Sequence, residues 1–182
     1  VSEGQAVASG TTITLTYVKD DQATKTLSYT VKYSLDGAEQ TGLTRSYTEA
    51  VWVNDDDDLA VQPGSIDQRS FTGYRFESID PEGAAVGGEV ASGTTITLNY
   101  VRDDAQTQAT SYTVQHVVEG QGVQKTDTYA GTAWINEANP TIVVGEGALA
   151  QQAYEGYKYA STSPVVSEGQ AVASGTTITL TY

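Results

Sequence analysis

The sequence predicts a mainly β protein laid out as two full repeats behind a leading fragment, and three observations predict it. The first is a period. Val1–Tyr17 and Val166–Tyr182 are identical, VSEGQAVASGTTITLTY, and Val90–Leu98 carries nine of the same residues, VASGTTITL. Gly10, Gly93 and Gly175 hold one position of that motif, 83 and 82 residues apart, and a fixed period of this length marks a repeat array. The second is composition: 12 Tyr against two Phe and two Trp, with abundant Thr and Val, residue types that suit a pleated, half-exposed surface. The third is strict alternation of apolar and polar residues in short runs, the signature of half-buried strands. The 182 residues then divide into 1–20, the closing strand of a preceding repeat; 21–104, a first full repeat with its linker; and 105–182, a second full repeat. Repeats of this size can bury a core, with little surplus.

In chain order, Ala8-Ser9-Gly10 is a turn signal, after which Ile13, Leu15 and Tyr17 alternate with threonines. Lacking the rest of its repeat, Val1–Val18 is expected either to be disordered or to pair with a sheet edge of another molecule by strand addition. Acidic linkers follow each closing strand, through Gln22–Thr26 in one case and Ala105–Thr110 in the other. The first repeat opens at Ser28 with Tyr29, Val31, Tyr33 and Leu35 on one face and the turn Asp36-Gly37. The second opens at Ser111 with Tyr112, Val114, His116 and Val118, and the turn Glu119-Gly120. Second strands are expected over Thr44–Val53 and Lys125–Ile135, with Trp52 aligned on Trp134. The crossovers Asp55–Gln68 and Glu137–Gln151 fit a short helix or an irregular segment equally well. Gly73-Tyr74 and Gly156-Tyr157 each open a further strand, Tyr74–Ile79 and Tyr157–Tyr159. Asp80-Pro81 and Ser163-Pro164 end these strands, since proline donates nothing to a sheet ladder.

Net charge is −14, from 23 acidic and nine basic residues, which argues against nucleic acid and against adsorption to an anionic membrane. Mean hydropathy is −0.32, and no run approaches the roughly 18 apolar residues of a membrane span, so no membrane insertion is expected. There is no Cys, hence no disulfide framework and no thiolate chemistry. No basic-then-apolar leader opens the sequence, which reads as an internal piece of something longer.

The order of these motifs resembles a known family. Tyr29-Thr30-Val31-Lys32-Tyr33, Gly73-Tyr74, Pro81, Ser92-Gly93 and Tyr100-Val101 recur as Tyr112-Thr113-Val114-Gln115-His116, Gly156-Tyr157, Pro164, Ser174-Gly175 and Tyr182. This pattern resembles the MucBP (mucin-binding protein) repeats of Gram-positive surface adhesins. The resemblance implies an α+β, mainly β class: tandem β-grasp (ubiquitin-like) domains in an elongated head-to-tail array, with opening and closing strands side by side. It also implies an extracellular protein, anchored to the cell wall through parts of the parent not present in this sequence. His116 in place of Tyr33 and the divergent crossover are departures from a strict repeat.

No enzyme is expected. His116 is the only histidine and the first repeat has none, so a nucleophile triad common to both repeats is excluded. His116 itself reads as a packing residue on its strand. Asp55, Asp56, Asp57 and Asp58 are hard oxygen ligands that suit calcium, the one metal the sequence suggests. They lack the alternating order of a calcium loop, and the second repeat has Glu137-Ala138-Asn139-Pro140 there, so a solvated acidic loop is the favoured reading. Lys32 and Asn99 sit on strands that the β-grasp arrangement places together, as an isopeptide crosslink requires, but Gln115 and Thr181 replace them in the second repeat. Trp52 and Trp134 are the candidate ligand-binding residues, able to stack on a sugar, with core packing the commoner role of a large aromatic.

The leading functional expectation is a stalk or spacer that projects a binding domain from the cell wall. Its partners are then the neighbouring repeats of the same chain, each adding roughly 30 Å of reach. The alternative is direct multivalent binding of mucin or other host glycans, where many weak sites sum to avidity. Sialate and sulfate on mucins would be repelled by a −14 surface unless calcium bridges them or neutral sugars are read.

Overall fold

Leu27, Tyr29, Val31 and Tyr33 fall on one side of a pleated strand, and all four are buried. The computed structural model of the chain describes residues 2–182. The first repeat contains β1 (Thr24–Leu35), β2 (Ala38–Glu39), β3 (Arg45–Trp52), β4 (Asp58–Ala60), β5 (Tyr74–Asp80), β6 (Glu89–Ala91) and β7 (Thr95–Arg102). Opening and closing strands lie side by side at the centre: β1 runs parallel to β7, with β3 antiparallel to β1 on one flank and β5 antiparallel to β7 on the other. The second repeat contains β8 (Thr107–Val118), β9 (Gly122–Trp134), β10 (Thr141–Val143), β11 (Ser161–Ser163), β12 (Ala171–Ala173) and β13 (Thr176–Thr181). Its sheet repeats the plan in the order β11-β13-β8-β9, again with a parallel central pair.

Each repeat has its own core. In the first, the inner face of β1 and β7 (Ile96, Leu98 and Tyr100) packs with Leu59, Val61 and Val90 from the region of the small β4–β6 pair. In the second, Tyr112, Val114, Ile178, Leu180 and Tyr182 pack with Val144, Ala148 and Val172 around the β10–β12 pair. Full burial of side chains of this size contributes about 1.5–3 kcal/mol each.

The mainly β class is found. The α part of the α+β expectation is not: among the described residues there is no α-helix, only one 3-10 turn at Thr41–Leu43. The crossover instead runs through a strand-and-turn path whose backbone amides need partners from elsewhere. Core tyrosines supply them. The Tyr29 hydroxyl accepts from the Gln62 N–H (2.9 Å) and Tyr100 from Arg69 (2.7 Å). In the second repeat Tyr112 accepts from Gly145 and Tyr182 from Gln152, both at 2.9 Å. A phenol can lie in an apolar core and still offer an acceptor at its tip, which accounts for the excess of Tyr over Phe.

Strand boundaries differ from expectation in three places. β1 and β8 start four residues before Ser28 and Ser111, because Thr24 and Thr107 pair with Trp52 and Trp134 at the far ends of long partner strands. The linkers are correspondingly shorter. Tyr157–Tyr159 is not a strand, and β11 begins at Ser161. In the first repeat pairing with the closing strand starts at Tyr74 opposite Arg102, and in the second at Ser161 opposite Thr181. Finally, the alternating run Ile13–Tyr17 forms no strand and is exposed throughout.

Candidate functional site

The two repeats meet at the turn that opens β5. β5 is entered through Phe71–Tyr74, closed by a bond from the Tyr74 N–H to the Phe71 carbonyl (3.0 Å), with Gly73 at φ 80°. β7 runs back beside β5 and brings Arg102 opposite Tyr74, so the linker departs next to this turn. The linker is itself a tight turn: the Gln106 N–H donates to the Asp103 carbonyl (3.1 Å) and the Ala105 N–H to Asp103 Oδ1 (3.1 Å). Trp134 ends β9 opposite Thr107, the first residue of β8, so its side chain stands where the second repeat faces the first.

Four backbone groups of the first repeat's turn are then satisfied from the linker and the second repeat. Trp134 Nε1 donates to the Gly73 carbonyl (3.0 Å), which also accepts from the Asp103 N–H (2.8 Å). The Gly73 N–H donates to Gln106 Oε1 (2.8 Å), and Gln106 Nε2 donates to the Tyr74 carbonyl (3.3 Å). Asn136 Nδ2 donates to the Thr72 carbonyl (2.6 Å). The Tyr74 ring meets the indole of Trp134 edge-on, centroids 5.5 Å apart, and the Arg102 guanidinium lies 4.7 Å over the same indole. Gly73 is buried, and a Cβ there would fall on Asn136 and Ile135, so the close approach requires glycine. Each bond contributes about 1 kcal/mol net and the cation–π contact about 0.5–2 kcal/mol. The Asp103 carboxyl is held below the usual carboxylate range, first by the Gln106 amide and then by the Ala105 N–H.

Trp52 holds the same place in the first repeat but has fewer partners. Its Nε1 donates to the Asp20 carbonyl (3.0 Å), and Lys19 Nζ lies 4.8 Å over its ring. Ala23 stands where the second repeat has Gln106, so the amide clamp is absent there. Neither tryptophan belongs to a core cluster; both mark the end of a repeat.

The other sequence-predicted residues are placed as follows. Asp57 Oδ1 pairs with Lys25 Nζ (2.7 Å), which also donates to the Asp55 carbonyl, and Asp55 Oδ2 accepts from the Trp52 N–H (3.2 Å). Asp56 is exposed and Asp58 opens β4. Lys32 pairs with Glu39 (2.9 Å) and Asn99 donates to Ser78 Oγ (3.3 Å), so each is engaged elsewhere. His116 is buried, stacked on Tyr182, with Nδ1 2.9 Å from its hydroxyl. That hydroxyl accepts from Gln152, which leaves its own hydrogen available to Nδ1 of a neutral imidazole. Burial, then Lys125, push the His116 pKa below its ordinary value against the opposing pull of Asp127. Sequence reading missed Gln106, Asn136 and Arg102 as junction residues; the equivalent spacing of Trp-x-Asn in both repeats was the available signal.

Two solved structures resemble this chain. One is the type 2 repeat of the mucus binding protein MUB from Lactobacillus reuteri, at 15% identity over 86% of this chain and 98% of that one, with a TM-score of 0.26. The other is Mub-RV, at 17% identity over 85% of this chain and 98% of that one, with a TM-score of 0.24. No protein-family model matches the chain, and no curated protein matches it. Superpositions this loose leave the functional reading to rest on the junction.

Proposed function

We propose that the chain is a spacer from a bacterial cell-surface adhesin, built of a leading closing strand (1–20) and two full repeats (21–104 and 105–182). It would work outside the cell, held to the wall through other parts of its parent, and carry a binding domain away from the surface. The observation that supports this most is the closed junction, in which Trp134, Gln106 and Asn136 occupy the backbone groups of Thr72–Tyr74. A junction bonded on four sides adds length without adding a hinge. The repeats fit a β-grasp module in which a strand pair takes the place of the helix. A net charge of −14 keeps neighbouring units apart. No catalytic step is assigned, since the only histidine is buried against Tyr182.

A second reading, direct binding of mucin or other host glycans, is favoured by Trp52, whose half-buried indole lies outside the core and can stack on a sugar. Binding of the chain to immobilised mucin, against deglycosylated mucin and with and without calcium, separates the two. The spacer reading expects no saturable, glycan-dependent binding; such binding, lost in Trp52→Ala, would replace it with the adhesive one. Calcium is expected to leave the melting temperature of the first repeat unchanged, as a solvated loop tied to Lys25 requires. A calcium-dependent rise would turn Asp55–Asp58 into a metal site.

A further inference from the structure

Tension along a chain of repeats enters and leaves each repeat through its first and last long strands. In the first repeat these are β1 and β7, which lie side by side and parallel, Thr30–Leu35 against Thr95–Tyr100. The entry at Thr24 and the exit at Arg102 therefore stand at opposite ends of the pair. Pulling them apart slides β1 along β7, and the bonds between the strands, evenly spaced in a parallel pair, are strained together. An antiparallel pair in the same place would have entry and exit at one end and would open one bond at a time.

The pair is closed at both ends. At its start the Gly93 N–H donates to the Ser28 carbonyl (2.7 Å) and the Thr30 N–H to the Thr94 carbonyl (2.9 Å). At the exit the Asp36 N–H donates to the Tyr100 carbonyl (2.9 Å), and Asp36 Oδ1 accepts from the Arg102 N–H (3.0 Å). A side chain thus carries the ladder on to the last residue of β7. Asp36 sits at φ 46°, a left-handed conformation that aspartate tolerates better than most residues. Sliding would also break bonds outside the pair. Tyr29 and Tyr33 on β1 and Tyr100 on β7 hold the crossover backbone at Gln62, Asp67 and Arg69. The second repeat has the same parallel pair, Tyr112–Val117 against Thr176–Thr181, with the Gly175 N–H on the Ser111 carbonyl (2.7 Å).

We propose that this parallel pair is a force-bearing clamp: β1 and β7, with Asp36 at the exit, keep the repeat folded under tension along the chain. The proposal rests on the spacer reading for the source of the tension, a pull on the binding domain that the spacer carries. Its geometry belongs to the first repeat, which has chain on both sides in this sequence. The Trp134 latch has no part in it, because the linker backbone already joins Arg102 to Thr107 covalently.

The test is single-molecule force spectroscopy of the full chain with handles on introduced cysteines, since the chain has none of its own. Gln22→Cys with Ala105→Cys pulls the first repeat along the clamp. Ala38→Cys with Ala105→Cys pulls from one end of the sheet and peels β7 from β1. All three positions are exposed, and forced unfolding reports the barrier in the direction of pull, so equal thermal stability does not predict equal force. The first pairing is expected to open in one step that releases roughly 240 Å of chain. Its force at the same loading rate is expected to be at least about twofold above that of the peeling pair. Asp36→Gly, which accepts the left-handed backbone but removes the acceptor, should lower the force along the clamp, and Asp36→Asn should retain it. Equal forces in the two directions would overturn the clamp, and an unchanged force in Asp36→Gly would remove Asp36 from it. Failure of the spacer reading is distinguishable, because it appears as glycan-dependent mucin binding and leaves the ratio of the two forces as it is.

Discussion

Tyr33 in the first repeat and His116 in the second hold the same place on the opening strand, and they fill it differently. Tyr33 reaches across to donate its hydroxyl to the Asp67 carbonyl (2.9 Å) and packs against Phe71 and Tyr100. His116 is shorter, stops at the Tyr182 hydroxyl and stacks on that ring. A second such pair is Leu27 and Thr110. Leu27 is an ordinary core residue opposite Glu49, but Thr110 is buried opposite Gly131 with its hydroxyl unpartnered among the described residues. What stays the same is the tyrosine framework: Tyr29 on Tyr47 and Tyr112 on Tyr129, stacked at 5.0 and 4.8 Å across the same strand pair. Duplication kept the groups that hold crossover backbone and let their neighbours drift.

The comparison breaks first if those shared tyrosines are unequal. Tyr29→Phe and Tyr112→Phe remove the acceptors of the Gln62 and Gly145 amides, and each should destabilise its own repeat by about 2 kcal/mol in chemical denaturation. A loss in one repeat and none in the other would show that the crossovers are held differently.

Acidification should separate the repeats. The folded pKa of His116 lies below its unfolded value of 6.5, so the unfolded chain takes up a proton that the folded core refuses. Stability of the second repeat is then full at neutral pH and falls as pH drops below the unfolded pKa, by at most about 1.4 kcal/mol per pH unit. Melting curves from about pH 7.5 to about pH 5 should show this loss in wild type and not in His116→Tyr, which installs the first repeat's residue. Equal pH dependence in both proteins would assign the effect to other groups.

The smallest expected effect is a gain. Thr110→Val keeps the volume and removes a buried hydroxyl without a partner, which should stabilise the second repeat by about 1 kcal/mol. A loss in the melting curve would mean that the hydroxyl has a partner after all.

The strands were legible in the sequence because burial on one face imposes a period of two, as along Tyr29, Val31 and Tyr33. The repeat itself was legible from its identical closing motif. The crossover was not, because it is held by tyrosines more than 30 residues away in sequence, and no local pattern records such bonds. Trp134 read as a sugar-stacking or core residue, and its place at the junction was not legible. Its partner, the Gly73 carbonyl 61 residues earlier in the preceding repeat, was beyond the reach of alignment between repeats.

The central claim is that the Trp134 latch holds the two repeats in one fixed arrangement. The chain has no cysteine, so Glu82→Cys and Glu146→Cys would place one dye on each repeat cleanly for single-molecule energy transfer. A narrow transfer distribution is predicted, broadening in Trp134→Ala while both repeats keep their melting temperatures. A distribution equally broad in both proteins would contradict the account, because the junction would then be a hinge and the latch would have no mechanical part in it.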